Sequence, residues 1–300
     1  MWSKVPVKWR SRRAAALGLA ALVVIAFGVG GIDGAGLLSW AKDNPPIGLQ
    51  MHRAVYDLSI DHLKSASDAD SLDGRMVVEW RGGPGCDGYT SEQRVVTRSS
   101  DAAGGLSISD VRLSSFESLD GNDFRFDRLE YTDGKLTEHA SGRVTRKNGK
   151  AVLTEPDEAP RELRAGVLFP TAFNIALMNA ARAGKTSFSG ELFDGTQSTP
   201  TYVNAFIGKP GTPPADAMKV SIESRGEGEE LKSASPWHVH MSYFDDSSGG
   251  GDESADGTPD FEMGFAMFPN GVMGGLTLDY DDVVLGGHLS QIKYFKPGSC

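Results

Sequence analysis

Beyond its first forty or so residues, this chain offers one stretch with the period of a long helix, residues 169–184 (FPTAFNIALMNAARAG). Nearly everything before and after it alternates as β-strands do. Pro170 suits a first helical turn, Gly184 suits the position just past the end, and the alanines, Leu177 and Met178 between them are good helix formers. At about 100° per residue, Phe173, Ala176, Leu177, Ala180 and Ala181 share one face. Ile175 and Met178 fall opposite them, among Asn174, Asn179 and Arg182. A lone helix of this kind is expected to be held by a curved sheet, with two β-rich halves wrapped around it.

The strands are legible from apolar alternation and turn residues. Ala54, Tyr56, Leu58 and Ile60 alternate with Arg53, Asp57, Ser59 and Asp61. Residues 65–73 read as a polar linker, and 75–81 with 89–98 as a hairpin around the glycine-rich 82–88. Leu106, Ile108, Val111 and Leu113 continue as strand, and their change of phase at Asp110 suggests a bulge. Residues 124–131 alternate and turn at Asp133-Gly134. Residues 136–146 and 150–155 are joined by Asn148-Gly149, a strong hairpin signal. After the helix, residues 188–193, 201–207 and 219–224 read as strands. Trp237, Val239, Met241 and Tyr243 form one face of the next, which pairs with 261–268 across the acidic stretch 245–260, read as a flexible loop. Residues 276–280, 282–285 and 289–295 finish a meander. About a dozen strands with short turns and no intervening helices predict a long antiparallel sheet, rolled or closed, rather than a parallel α/β fold.

The opening segment is a separate matter. Lys4, Lys8, Arg10, Arg12 and Arg13 precede an apolar run over residues 14–32, the pattern of an export signal. Residues 1–41 therefore read as a cleaved signal peptide or a retained membrane anchor, and 42–300 as a single domain. With residues 1–41 set aside, which removes those five basic residues and Asp33, 25 Lys+Arg face 39 Asp+Glu, a net of -14. Such a body repels nucleic acid, and membrane contact is expected only through the N-terminal segment if it is uncleaved. The even count of two cysteines, Cys86 and Cys300, suggests a disulfide in an exported protein, with two free thiols as the alternative.

Several stretches together resemble the cell envelope integrity protein EipB family. They are His52-Arg53-Ala54-Val55-Tyr56-Asp57-Leu58-Ser59-Ile60, Cys86-Asp87-Gly88-Tyr89-Thr90, Ser114-Ser115-Phe116-Glu117 and Leu168-Phe169-Pro170-Thr171. Ala180-Ala181-Arg182-Ala183-Gly184, Leu192-Phe193-Asp194-Gly195 and the late Cys300 extend the match. The resemblance implies a periplasmic protein whose long antiparallel sheet rolls into an unclosed barrel or spiral; with the helix read above, the fold expected is such a sheet around one central helix. It also implies a disulfide between Cys86 and Cys300 and a role in maintaining the envelope; no enzyme activity comes with it, and neither an enzyme nor a cofactor is expected.

Chemical motifs are sparse. Gly83-Pro84-Gly85-Cys86-Asp87-Gly88 fits the letters of a dinucleotide fingerprint, but a strand rather than a helix follows it. His238-Val239-His240 sets two imidazoles on one face of a strand, short of a zinc site's third ligand. Residues 252–257 begin like a calcium loop, yet Met263 stands where the bidentate glutamate belongs. No Gly-x-Ser-x-Gly elbow or His-Glu-x-x-His pair occurs, so a hydrolase or lipid-modifying enzyme would need a dispersed site. What remains is binding. Trp80, Tyr56, Phe116, Phe126, Phe173, Leu177, Trp237, Phe265 and Phe268 are expected either to line a cavity for an acyl chain or to pack on one another. Ile175 and Met178, or an open sheet edge, are expected to receive a protein partner. The function expected is thus a docking or lipid/lipoprotein-binding scaffold, with Trp80, Phe173, Ile175, Leu177, Met178 and Trp237 as its candidate contacts.

Overall fold

The computed structural model describes residues 49–64, 69–101, 103–212, 228–244, 258–280, 282–296 and 298–300. The expected signal or anchor, the strand at 219–224 and most of the acidic loop (245–257) lie outside the described residues. Among the described residues, fourteen strands form one antiparallel sheet whose two ends do not pair with each other. The strands are β1 (His52–Leu63), β2 (Ala69–Gly82), β3 (Gly88–Asp101), β4 (Leu106–Ser118), β5 (Asp123–Thr132), β6 (Lys135–Lys147), β7 (Lys150–Thr154) and β8 (Arg161–Glu162). After helix α1 (Pro170–Arg182) come β9 (Ser187–Leu192), β10 (Thr201–Pro210), the short helix α2 (Glu229–Ser233), β11 (Trp237–Phe244), β12 (Phe261–Met267), β13 (Met273–Asp279) and β14 (Val283–Tyr294).

The order in the sheet explains why a helix sits in the middle of the sequence. From β1 the strands step outward to β8, and from β14 they step the other way to β9, while β1 and β14 pair at the centre. The first and last strands therefore lie side by side, and mid-chain residues occupy both free ends. The link between those ends carries α1. Just before it, Leu168 docks in parallel against β9, its N–H donating to Glu191 O (3.0 Å) and its carbonyl accepting from Phe193 N (2.9 Å).

Alternation puts one face of the sheet inward. Ala54, Tyr56 and Leu58 are buried while Arg53, Asp57 and Ser59 are exposed, as the period of two requires. The outer face carries ion pairs: Arg75 with Asp57 (3.0 Å) and Arg98 with Asp73 (2.9 Å) across strands, and Asp110 between Arg94 of β3 (2.8 Å) and Arg112 of its own strand (2.6 Å). Burial works against the Asp110 charge, but the two guanidiniums win and hold its carboxyl at about 2. A face so charged belongs in water, not in hydrocarbon.

Four expectations need correction. Residues 69–73 belong to β2 and not to a linker: Leu72 is buried, and the polar Ser71 and Asp73 are outer-face partners of Ser100 and Arg98. No bulge exists at Asp110, since β4 pairs with β3 without a break; Leu106 and Ile108 simply lie on the water side, in register with Arg112. Residues 283–294 form one strand, β14, with an irregularity where it meets Val55 and Tyr56. Finally, α1 buries Met178 (1% exposed) and Asn174 (3%), leaving Ala176 half-buried. Met178 is covered there by the β12–β13 turn, where a Cβ on Gly271 would fall 2.3 Å from Leu49 Cδ1 and 3.3 Å from the Met178 sulfur.

Local chemistry marks the start of α1 and closes its C-terminal end. Pro170 opens it, and Gly184, at φ +71°, closes it with Gly184 N–H donating to Ala181 O (3.0 Å) and Lys185 N–H to Ala180 O (3.0 Å). This is a Schellman cap, which an L side chain at position 184 would strain.

Candidate functional site

The inward aromatic residues pack together. Trp80, Tyr56, Phe126, Phe173, Leu177, Trp237, Phe265 and Phe268 all belong to one buried core. Phe126 lies edge-on to Phe193 (5.7 Å), and Phe124 stacks on Phe169 (4.8 Å). Phe116 differs: in register with Arg112 and Ser114, it lies half-buried under the Arg125 guanidinium (5.4 Å). Of the six expected contacts, Trp80, Phe173, Leu177, Met178 and Trp237 are thus core residues, and Ile175 alone reaches an open space.

That space is a groove of about 650 Å³ along the second face of α1. Its floor is Ala172, Ile175, Ala176, Asn179 and Ala183, spaced three or four apart as one helical face demands. Leu119 and the β4–β5 turn form one wall. Phe188 at the start of β9 forms the other, held edge-on against Phe173 (5.7 Å). Tyr89, Glu117, Asp120, Arg146 and Lys185 supply the polar groups. A mostly apolar groove of this size with a few convergent polar groups is the usual form of a small-ligand site. A smaller depression of about 430 Å³ on the outer face is lined by Arg53, Glu79, Glu92, Arg94, Arg112 and Asp127, whose opposite charges neutralise one another.

Glu117 is the residue that sequence reasoning passed over. The first turn of α1 contains no acid, and its cap position, Phe169, offers no side-chain acceptor. The missing acceptor comes from β4: Glu117 Oε2 accepts the Thr171 N–H (2.7 Å) and Oε1 the Ala172 N–H (3.1 Å). A carboxylate at a helix N-terminus is electrostatically favoured. Burial nevertheless dominates and pushes the Glu117 carboxyl up to about 7, against the two N–H groups and the nearby Arg146. With both oxygens engaged, Glu117 holds the first turn of α1. The signal was faint: an acid at an inward position of a strand, Ser-Ser-Phe-Glu, with no visible partner.

Arg146 completes the wall. Its guanidinium donates to Gly121 O (3.0 Å) and Val167 O (2.6 Å) and lies over the Phe169 ring (4.9 Å). Burial lowers its pKa, while the Glu117 charge opposes that shift. Elsewhere, His240 pairs with Glu262 (2.9 Å), and among the described residues no group of three metal-ligating side chains converges. In the β2–β3 turn that leads into the groove residue Tyr89, Cys86 bonds Cys300, so the C-terminal tail lies on the β2–β3 hairpin, where Ser299 O accepts the Gly82 N–H (3.1 Å).

The EipB-like family model matches residues 43–296, the whole sheet and its helix. The chain belongs to the EipB-like family. It is 32% identical over 268 residues to the cell envelope integrity protein EipB of Brucella abortus (strain 2308), covering 88% of this chain and 91% of that one. It is also similar to the crystal structure of a beta-barrel-like protein of a domain of unknown function from Brucella abortus. There the TM-score is 0.74 and the identity 31%, with 83% of this chain and all of that one covered. The EipB-like fold is therefore the unclosed, barrel-like sheet described above, and the α1 groove lies within the matched region.

Proposed function

We propose that this EipB-like protein works in the periplasm to maintain the cell envelope, as a non-enzymatic scaffold that holds the acyl chain of a lipid or lipoprotein in the α1 groove. The role in the envelope is supported by the EipB relative. Export is supported by the basic and then apolar opening of the sequence and by the disulfide, a bond of oxidising compartments. The observation that carries the ligand class is the groove itself. Ala172, Ile175, Ala176, Leu119 and Phe188 give an apolar bed, and Lys185 among the lining residues supplies a cation for a polar head group. No cofactor enters this reading.

Native mass spectrometry after gentle extraction from an envelope fraction tests it. A co-purifying lipid or acylated peptide supports the reading. A stoichiometric envelope protein with an empty groove favours protein docking instead, and reproducible turnover lost on changing one polar side chain would replace both with an enzyme.

A further inference from the structure

Glu117 forms part of the groove wall, is only 4% exposed, and is the acceptor that anchors the first turn of α1. The charged and titratable groups that line the groove with it are Tyr89 on β3, Arg146 on β6, Asp120 in the β4–β5 turn and Lys185 beyond α1; of these, Arg146 and Tyr89 interact with its charge, and β5 sets the apolar Phe124 opposite it. Asp120 is held at about 2 by the Ser118 hydroxyl and the Asn122 N–H. Tyr89 is raised by burial and by the Glu117 charge. The lining contains no histidine, so of its two acids Glu117 is the one whose charge changes near neutral pH.

We propose that Glu117 couples occupancy of the groove to proton uptake: an uncharged acyl chain binds more tightly when this carboxyl is protonated, and filling the groove draws a proton onto it from solvent. The inference rests on the groove being an acyl site and adds its regulation. An apolar chain laid along Ala172 and Ala176 displaces water from beside the carboxylate, which penalises the charged form and leaves the neutral form almost untouched. Linkage makes the effect reciprocal, so whatever raises the proton affinity of Glu117 must bind better to the protonated protein. A ligand that raises the Glu117 pKa by about one unit gains about tenfold in affinity across the titration.

The test uses a neutral apolar fluorophore, N-phenyl-1-naphthylamine, so that no head group titrates. It is added to the exported protein and to Glu117→Gln at about pH 5.5 and about pH 8.5, on either side of the transition. The wild type is expected to bind about tenfold more tightly at the acid pH, and the variant equally at both. Equal wild-type affinities would overturn the coupling and leave the groove standing, whereas no saturable binding at either pH would overturn the groove as well. Because the variant also loses an acceptor for α1, a second measurement uses wild-type protein alone. The ¹³C resonance of the Glu117 carboxyl is titrated with and without saturating fluorophore. Its midpoint is expected to rise on saturation; a midpoint that stays or falls contradicts the proposal.

Discussion

Cys86 and Cys300 are separated by 214 positions and joined with their Cα atoms 5.8 Å apart, which fastens the end of the chain to the β2–β3 hairpin beside the central strands. The bond spans almost all of the domain. In the chain-entropy account so long a loop gives an upper stabilisation of about 5 kcal/mol. Reduction under native conditions, or Cys300→Ser, is expected to lower the Tm by roughly 5–10 °C. A Tm that does not move would show that the tail is held by other contacts, such as Arg81 over Phe295.

Gly195 follows β9 at φ +83°, and a Cβ there would fall 2.3 Å from Cγ of the buried Phe126. Gly195→Ala is therefore expected to destabilise by roughly 1–3 kcal/mol, from overpacking added to backbone strain. Gly166, at φ +79° with open space around it, provides the comparison. Gly166→Ala should carry the strain alone, so equal losses in urea unfolding would argue against the Phe126 contact.

The two faces of α1 should respond differently. Leu177 is fully buried, and Leu177→Ala is expected to cost about 2–5 kcal/mol. Leu177→Asp, which places a charge in the core, should abolish folding. Ala176, on the groove floor, should accept Ser with little change in Tm. Similar thermal shifts for Leu177→Ala and Ala176→Ser would show that the helix is peripheral.

Stability should also follow the protonation of Glu117. Its folded pKa of about 7 lies above the ordinary 4.5, so the folded state binds the proton more tightly than the unfolded chain does. The contribution is full below 4.5 and is lost as pH rises through about 7, amounting to about 3 kcal/mol. In urea unfolding, the advantage of the wild type over Glu117→Gln is expected to shrink between about pH 5 and about pH 8. A gap that widens with pH would mean that the two N–H groups outweigh burial.

Much of the sheet was legible because a half-buried strand announces itself every second residue. The Asn148-Gly149 hairpin, with both residues at positive φ, and the Asp133-Gly134 turn are local chemistry that needs no tertiary information. Leu106 and Ile108 misled for the opposite reason: apolar letters at a strand end do not say which face they occupy, and here they face water. Met178 was misplaced because α1 is covered on more than one side, and only the approach of Gly271 reveals the second. The groove was harder still. It is formed by the β4–β5 turn, the end of β6 and the start of β9 meeting along one helix, and its pivotal carboxylate, Glu117, lies 54 positions from the N–H of Thr171.

The claim on which the rest depends is that the α1 groove holds an acyl chain. Paramagnetic broadening by a nitroxide-labelled long-chain fatty acid tests it directly, read on the backbone amides of the protein. The account predicts saturable broadening centred on Leu119, Ile175 and Ala176, with Arg94 and Arg112 on the outer face spared. Broadening centred on the outer face, or none below the micelle concentration, would contradict it.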